Sequence, residues 1–259
     1  MISPEAERRI VRILLGMESA GPELPDIEPA VRLARLLEAE LTGLFIEDDD
    51  LLRSAALPFA AEIPLAGGAP RALDVVKLER ALRMLAQRTE AELERAAERA
   101  RVRWTFRVVR GRRLPTMLAE AGVDDLVVLA RTPHSPAELR QAAAAHTIAV
   151  LFDGSEAARH AVALAARLVG DDGRDLLLLD VGGRTTADDA RAAQRWLKSR
   201  GIRVALHALA ALDAERVLNA LRGNVPLLLI LPAANDQVMA PGFIDRLHRH
   251  LPAPLALVR

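Results

Sequence analysis

The sequence has no cysteine and no tyrosine, its aromatics amount to 3%, and its only lysines are Lys77 and Lys198. Each shortage excludes something. Without cysteine there is no disulfide, no thiolate nucleophile and no cysteine-type zinc site, which fits a reducing compartment. With few aromatics, the 51% of residues that are hydrophobic must build a core from Leu, Val and Ala. No G-x-x-x-x-G-K-S/T occurs, and both lysines fall inside predicted helices, so a P-loop is excluded. No G-x-G and no G-x-S-x-G occurs either, which removes the dinucleotide fingerprint and the hydrolase elbow. Lys+Arg and Asp+Glu balance at 35 each, leaving no net field to attract nucleic acid or an anionic membrane. Apolar runs such as "VPLLLILPAA" are far shorter than the roughly 20 residues that span a bilayer. "MISPEAERRIVRILLG" carries charge where a signal peptide needs an apolar stretch. The expectation is a soluble, cytoplasmic protein without nucleic-acid or membrane partners.

What is present is a repeat. "RIVRILLGMES" reads as a strand and turn, "DIEPAVRLARLLEAE" as a helix with Ile27, Val31, Ala34 and Leu37 on one face, and "LTGLFIED" as a second strand. The second half opens the same way. "TIAVLFDGS" is a strand and turn, "EAARHAVALAARLVG" a helix with Ala158, Val162, Ala165 and Leu168 on one side, and "DLLLLDVGG" a strand. In the first half Asp74 can cap a long helix, "VVKLERALRMLAQRTEAELERAAERA", with Leu78, Leu82, Leu85, Leu93 and Ala96 as its buried stripe. Strand "VRWTFRVV", helix "LPTMLAEAG" and strand "DDLVVLA" follow. The second half continues with helix "ADDARAAQRWLKSRG", strand "IRVALHAL", helix "DAERVLNALRG", strand "PLLLILPA", helix "GFIDRLHRHL" and strand "PLALVR". Alternating strands and helices mean parallel sheets covered on both faces. The reading is two α/β domains, 1–146 and 147–259.

The halves differ in two places. An insertion, residues 48–73, carries Leu51, Leu52, Leu57, Phe59, Ile63 and Leu65, too many apolar groups for a freely solvated loop. Its prolines and paired glycines predict a loop with a helical turn that packs on something. At the junction, "RTPHSPAELRQAAAA" leaves no room for a fifth strand before the second half starts, although Ser135 can cap a short helix there. The first sheet should then expose an open edge, to be covered by a strand from the other domain or a second copy.

These residues resemble the universal stress protein (UspA-like) family in tandem. The resemblance rests on "IAVLFDGSEAARHAVALAARL", on the closing "LPAPLALVR" and on "AVRLARLLEAELTGLFIEDDDLLRSAALPFAAEI". It implies doubly wound sheets of strand order 3-2-1-4-5, the first lacking its own fifth strand. In such sheets ligands bind beyond the carboxyl ends of the strands, where the winding reverses. In the second half that crevice falls at Asp153, Gly154, Ser155, Val181, Pro232 and Ala233, and in the first half at Met17-Glu18-Ser19 and Ala130-Arg131. ATP-binding members resemble one another in a glycine-rich Gly-x-x-Gly, nine residues, Gly-Ser/Thr stretch after strand 4. Here the second half reads "PAANDQVMAPGFIDRLHRHL", with Gly242 as its only glycine, and the first half's stretch has none. Phosphate oxygens need bare backbone N–H groups, so the cradle is absent from both halves.

Two readings of the Asp153-Gly154-Ser155 turn stand side by side: a helix cap with favourable N-terminal charge, or a reduced ligand site for adenosine-like molecules. The leading expectation is a non-catalytic regulatory or protective protein that acts through association, with no cofactor. The homodimer is the expected assembly, and the 48–73 insertion a possible protein-partner surface. The alternatives are an ATP- or adenosine-binding sensor using Asp153, and a nucleotide hydrolase, for which no nucleophile–base pair can be read. Elsewhere, "RGRR" at 110–113 is either an anion site or an exposed turn, and "EDDDL" at 47–51 either a cation site or a solvated acidic turn. His248 and His250 sit two apart on a helix and read as solvated, and His134 and His146 as linker residues.

Overall fold

Strand β1 (Arg12–Glu18) alternates its side chains between two apolar layers: Ile13, Leu15 and Met17 enter one, Leu14 the other. The same alternation runs through the sheet and makes it the middle of three layers. The computed structural model describes residues 8–18, 26–62, 71–130, 140, 145–170, 173–181 and 187–259. In chain order the elements after β1 are α1 (Glu28–Leu37), β2 (Glu40–Asp48), α2 (Asp49–Ala55), the two-residue strands β3 (Ala61–Glu62) and β4 (Arg71–Ala72), α3 (Val75–Ala100), β5 (Trp104–Gly111), α4 (Arg113–Glu120) and β6 (Asp125–Leu129). The second half supplies β7 (Thr147–Phe152), α5 (Glu156–Val169), β8 (Asp175–Val181), α6 (Ala187–Ser199), β9 (Val204–Leu209), α7 (Ala214–Ala220), β10 (Leu228–Pro232), α8 (Phe243–His250) and β11 (Leu255–Val258).

Nine strands form one sheet in the order β5-β2-β1-β6-β11-β10-β7-β8-β9, and β3 and β4 pair apart from it. Numbered within its own half, the second half runs 3-2-1-4-5 and the first 3-2-1-4. Among the described residues the first half adds no fifth strand to the sheet. Its edge is covered by β11, as expected for a strand from the other half. β11 lies parallel to β10 (Leu229 beside Leu255) and antiparallel to β6 (Leu255 beside Leu129, Leu257 beside Val127). The two windings therefore share one sheet rather than forming two, and their strands run in opposite directions.

Helices α1, α3, α5 and α6 cover one face, and α4, α7 and α8 the other. The expected apolar stripes of α1 and α5 are buried, but α5 is buried nearly all round, because it sits between α1, α6 and the sheet. On α3 the contact line is Leu82, Ala86, Thr89, Leu93, Ala96 and Ala97, with Leu78 and Leu85 only half-buried at the edge of the sheet. Asp74 caps α3 as expected, accepting from the Val76 and Lys77 N–H groups at 3.0 and 3.2 Å. Two glycines admit the helices: a Cβ on Gly16 would lie 2.1 Å from Met117 Sδ of α4, and one on Gly43 would lie 2.6 Å from Leu93 of α3.

The insertion forms α2, capped by Asp48, and the β3–β4 bridge, more structure than the expected loop. Two of its described apolar side chains stand well exposed. Phe59 is 79% and Leu57 46% exposed, and Ala55 is the buried residue of α2. Ile63, Leu65, Ser135 and His134 lie outside the described residues.

At the amino ends of β1 and β6, Arg12 grips Asp125 with two hydrogen bonds (3.1 and 2.5 Å), while Asp125 also accepts from the Gly122 N–H at 2.6 Å. Arg12 donates further to the Glu120 carbonyl at the end of α4. Burial alone would raise the Asp125 pKa, but the Arg12 guanidinium and the Gly122 N–H outweigh it and hold the carboxyl below its ordinary value. A depressed carboxyl contributes stability above the unfolded-state pKa of about 3.9 and loses it as pH falls through the folded value. Asp125→Asn should lower unfolding free energy by about 2 kcal/mol at pH 7, a third-exposed Arg12 being less penalised than a fully buried one. Urea titrations at pH 7 and near pH 3 check this, with wild type and variant converging at the lower pH.

Candidate functional site

Strands β7 and β10 are neighbours (Ile148 beside Leu228, Val150 beside Ile230), and the winding of the second half reverses between them. The crevice beyond their carboxyl ends is where the sheet geometry favours a ligand. β7 ends at Phe152, and the chain turns through Asp153 and Gly154 into α5. Gly154 adopts φ +75°, a left-handed conformation that suits glycine. Ser155 then caps α5, its Oγ accepting from the Ala158 N–H at 3.1 Å. The cap reading of this turn is therefore realised.

Asp153 points inward and is 4% exposed. Its Oδ1 accepts from the Ser155 N–H at 2.9 Å. Its Oδ2 accepts from the Asn235 side-chain amide at 2.5 Å. Asn235 is 2% exposed, and its own Oδ1 accepts from the Gln237 and Val238 N–H groups at 2.9 and 3.2 Å. Val238 is fully buried and shares an apolar cluster with Val181, Leu231 and Leu209. Pro232 completes β10, the Ala233 N–H donates to the Val258 carbonyl at 2.8 Å, and the chain coils through 234–242 in short turns, with Met239 N–H bonded to the Asn235 carbonyl. The expected residues Asp153, Gly154, Ser155, Val181, Pro232 and Ala233 lie at or just beyond the carboxyl ends of β7, β8 and β10. The Asp153 carboxylate is engaged by the protein's own Asn235 amide.

Asn235 is the residue that sequence reasoning passed over. Its only local signal was a place in "AANDQ", where an Asn can fold its side chain back onto nearby N–H groups in an Asx turn. That the same side chain reaches a residue 82 positions away is a tertiary fact. In the first half, Met17 stands in the place of Asp153. It is 1% exposed and packs beneath Gly43 in the larger apolar layer. Ser19 and Arg131 lie outside the described residues.

The charged stretches resolve against one another. Arg110 binds Glu47 at 2.8 Å and approaches Glu79 at 3.7 Å, and Arg112 approaches Asp50 at 3.7 Å. "RGRR" and "EDDDL" are thus mutual partners across the carboxyl ends of β2 and β5. Arg113, largely buried, approaches Asp245 at 3.6 Å and touches the His248 ring. These groups border a cleft of about 350 Å³, whose Asp48, Asp50 and Asp245 offset Arg112 and Arg113. His248 corrects the solvated reading: it is half-buried, with Nε2 2.8 Å from the Ala130 carbonyl at the end of β6. His250, two residues on, stays exposed.

Truncating Asn235 leaves a buried carboxylate oxygen and two backbone N–H groups without partners. Asn235→Ala should lower stability by about 3 kcal/mol, against about 1 kcal/mol for removing the Ser155 cap. Chemical denaturation of the two variants in parallel gives the ranking, and equal small losses would contradict the buried contact.

No protein-family model matches the sequence, and no curated protein matches it. Among solved structures, a universal stress protein from Archaeoglobus fulgidus superposes over 98% of this chain and 98% of its own, at TM-score 0.58 and 13% identity. A member of the universal stress protein family from Burkholderia pseudomallei is 24% identical over 44% of this chain and 95% of its own, at TM-score 0.34. A protein of unknown function from Pseudomonas aeruginosa covers 98% of this chain with 94% of its own, at 11% identity and TM-score 0.47. The chain has the fold of a universal stress protein.

Proposed function

We propose that this protein is a non-catalytic regulatory or protective protein of the universal stress protein type, built from units 1–146 and 147–259, that acts through protein association and not through a bound nucleotide. The observation that carries the reading is the Asn235–Asp153 contact. A ligand entering the second-half crevice would have to displace an amide held at 2.5 Å and the fully buried Val238 behind it. The missing glycines point the same way. Across 233–242 only Gly242 lacks a side chain, so backbone N–H groups cannot crowd around a triphosphate. Association is supported by Leu57 and Phe59 of the insertion, 46% and 79% exposed among the described residues. An adenosine-binding role at Asp153 requires the 234–242 segment to move out.

Thermal unfolding with and without Mg-ATP tests this. A ligand at 100 times its Kd stabilises by about 2.7 kcal/mol, a rise of about 5–10 °C for a chain of this size. The expected result is no rise for the wild type. A clear rise that Asp153→Ala abolishes would overturn the proposal in favour of a nucleotide sensor.

A further inference from the structure

The shared sheet leaves two edges, β5 and β9. Their hydrogen-bond phase is set by the inner neighbour. The Leu176 N–H of β8 donates to the Arg203 carbonyl at 2.9 Å, with Leu176 beside Val204 in register. Residues 203, 205, 207 and 209 therefore turn their backbone groups toward β8. Val204, Leu206 and Ala208 turn theirs outward. Gln194 reaches the Val204 carbonyl at 3.4 Å, which confirms the direction. No described group accepts from the Val204, Leu206 or Ala208 N–H.

Three further features distinguish this edge. Its sequence, "VALHAL", carries no Asp, Glu, Lys or Arg to guard it, whereas β5 carries Arg107 and Arg110. The cations beside it are held by their own chain: Arg203 pairs with Asp175 at 2.6 Å, and Arg200 stacks 3.8 Å over the Trp196 ring. The core is also left half-open here. Val204, Leu206, Ile202 and Trp196 pack against the larger apolar cluster but are only partly buried.

We propose that the β9 edge pairs antiparallel with the β9 edge of a second copy of this chain, about a two-fold axis through Leu206. In that register Leu206 faces its mate, Val204 faces Ala208 and His207 faces Ala205, so no like charges oppose one another. The outward groups make about six backbone hydrogen bonds across the axis. Side chains keep their faces, so Leu206, Val204 and Trp196 of the two copies adjoin and complete each other's cover. A two-fold interface must be self-complementary, and an uncharged antiparallel edge meets that condition. The inference deepens the association part of the function proposed above. It is separable from the nucleotide part, since an Mg-ATP shift and a subunit mass are independent readings.

Hydrogen exchange and light scattering on the full chain decide it. The expected result is a dimer mass, with the Val204, Leu206 and Ala208 amides exchanging slowly although no described group of one copy accepts their hydrogens. Ala208→Pro removes one outward N–H at an exposed position and leaves the β8 ladder intact. It should halve the mass at unchanged circular dichroism. Val108→Pro, at an outward position of β5, should leave the dimer in place. A monomeric wild type, fast exchange at those amides, or a dimer that survives Ala208→Pro but not Val108→Pro would overturn the proposal. Should Ala208→Pro fail to fold, the wild-type mass and exchange rates decide alone.

Discussion

The antiparallel pairing of β6 with β11 is the contact on which the arrangement depends. A parallel winding of four strands ends in β6, whose residues are all buried. An uncovered β6 would leave backbone donors and acceptors unpaired beside apolar side chains, an expensive combination. β11 resolves this by serving as fifth strand to its own half and as cover to the other. Its direction then dictates the rest. Because β11 is parallel to β10 and antiparallel to β6, the carboxyl ends of the two windings lie at opposite ends of one sheet. Each crevice is consequently surrounded by different loops. Side chains reinforce the seam: Arg259, just beyond β11, donates to the Leu118 and Ala121 carbonyls at the end of α4, and His248 reaches Ala130.

The ends of β1 and β7 are built on different physics. In the first half, Met17 sends a thioether into the apolar layer, so the position belongs to the core. In the second half a carboxylate is retained and buried. A buried carboxylate needs donors, and Asp153 has them from Ser155 and Asn235. The amide of Asn235 is a suitable internal partner because its carbonyl end is satisfied by the Gln237 and Val238 N–H groups, leaving no unpaired atom to favour opening. Asp153, Ser155, Asn235, Gln237 and Val238 thus form a local network that stabilises the folded chain.

The fold was largely legible. Element order followed from hydrophobic period, and the strand 147–152 and the helix 75–100 came out with their expected bounds, because a buried strand bounded by Asp-Gly-Ser and a helix capped by Asp74 carry local signals. The missing fifth strand was also legible, from a junction too short to hold one. The stripe of α3 was read less well: Leu78 and Leu85 are only half-buried, while Ala86, Thr89 and Ala97 join the buried line, a choice that tertiary contact makes and residue spacing alone does not. The insertion's apolar composition stated a tendency to be covered without stating where the cover lies.

Composition and spacing alone determined that this is an alternating α/β chain with a repeated winding, no thiol chemistry, no P-loop and no glycine cradle, because these depend on local periodicity or on residues that are simply absent. Tertiary structure decided which strand covers β6, that "RGRR" and "EDDDL" neutralise each other, that His248 belongs to the junction, and that Asn235 fills the place beside Asp153. Each of these joins groups far apart in the chain, and pairing across such distances is set by where the sheet places them, which no local pattern records.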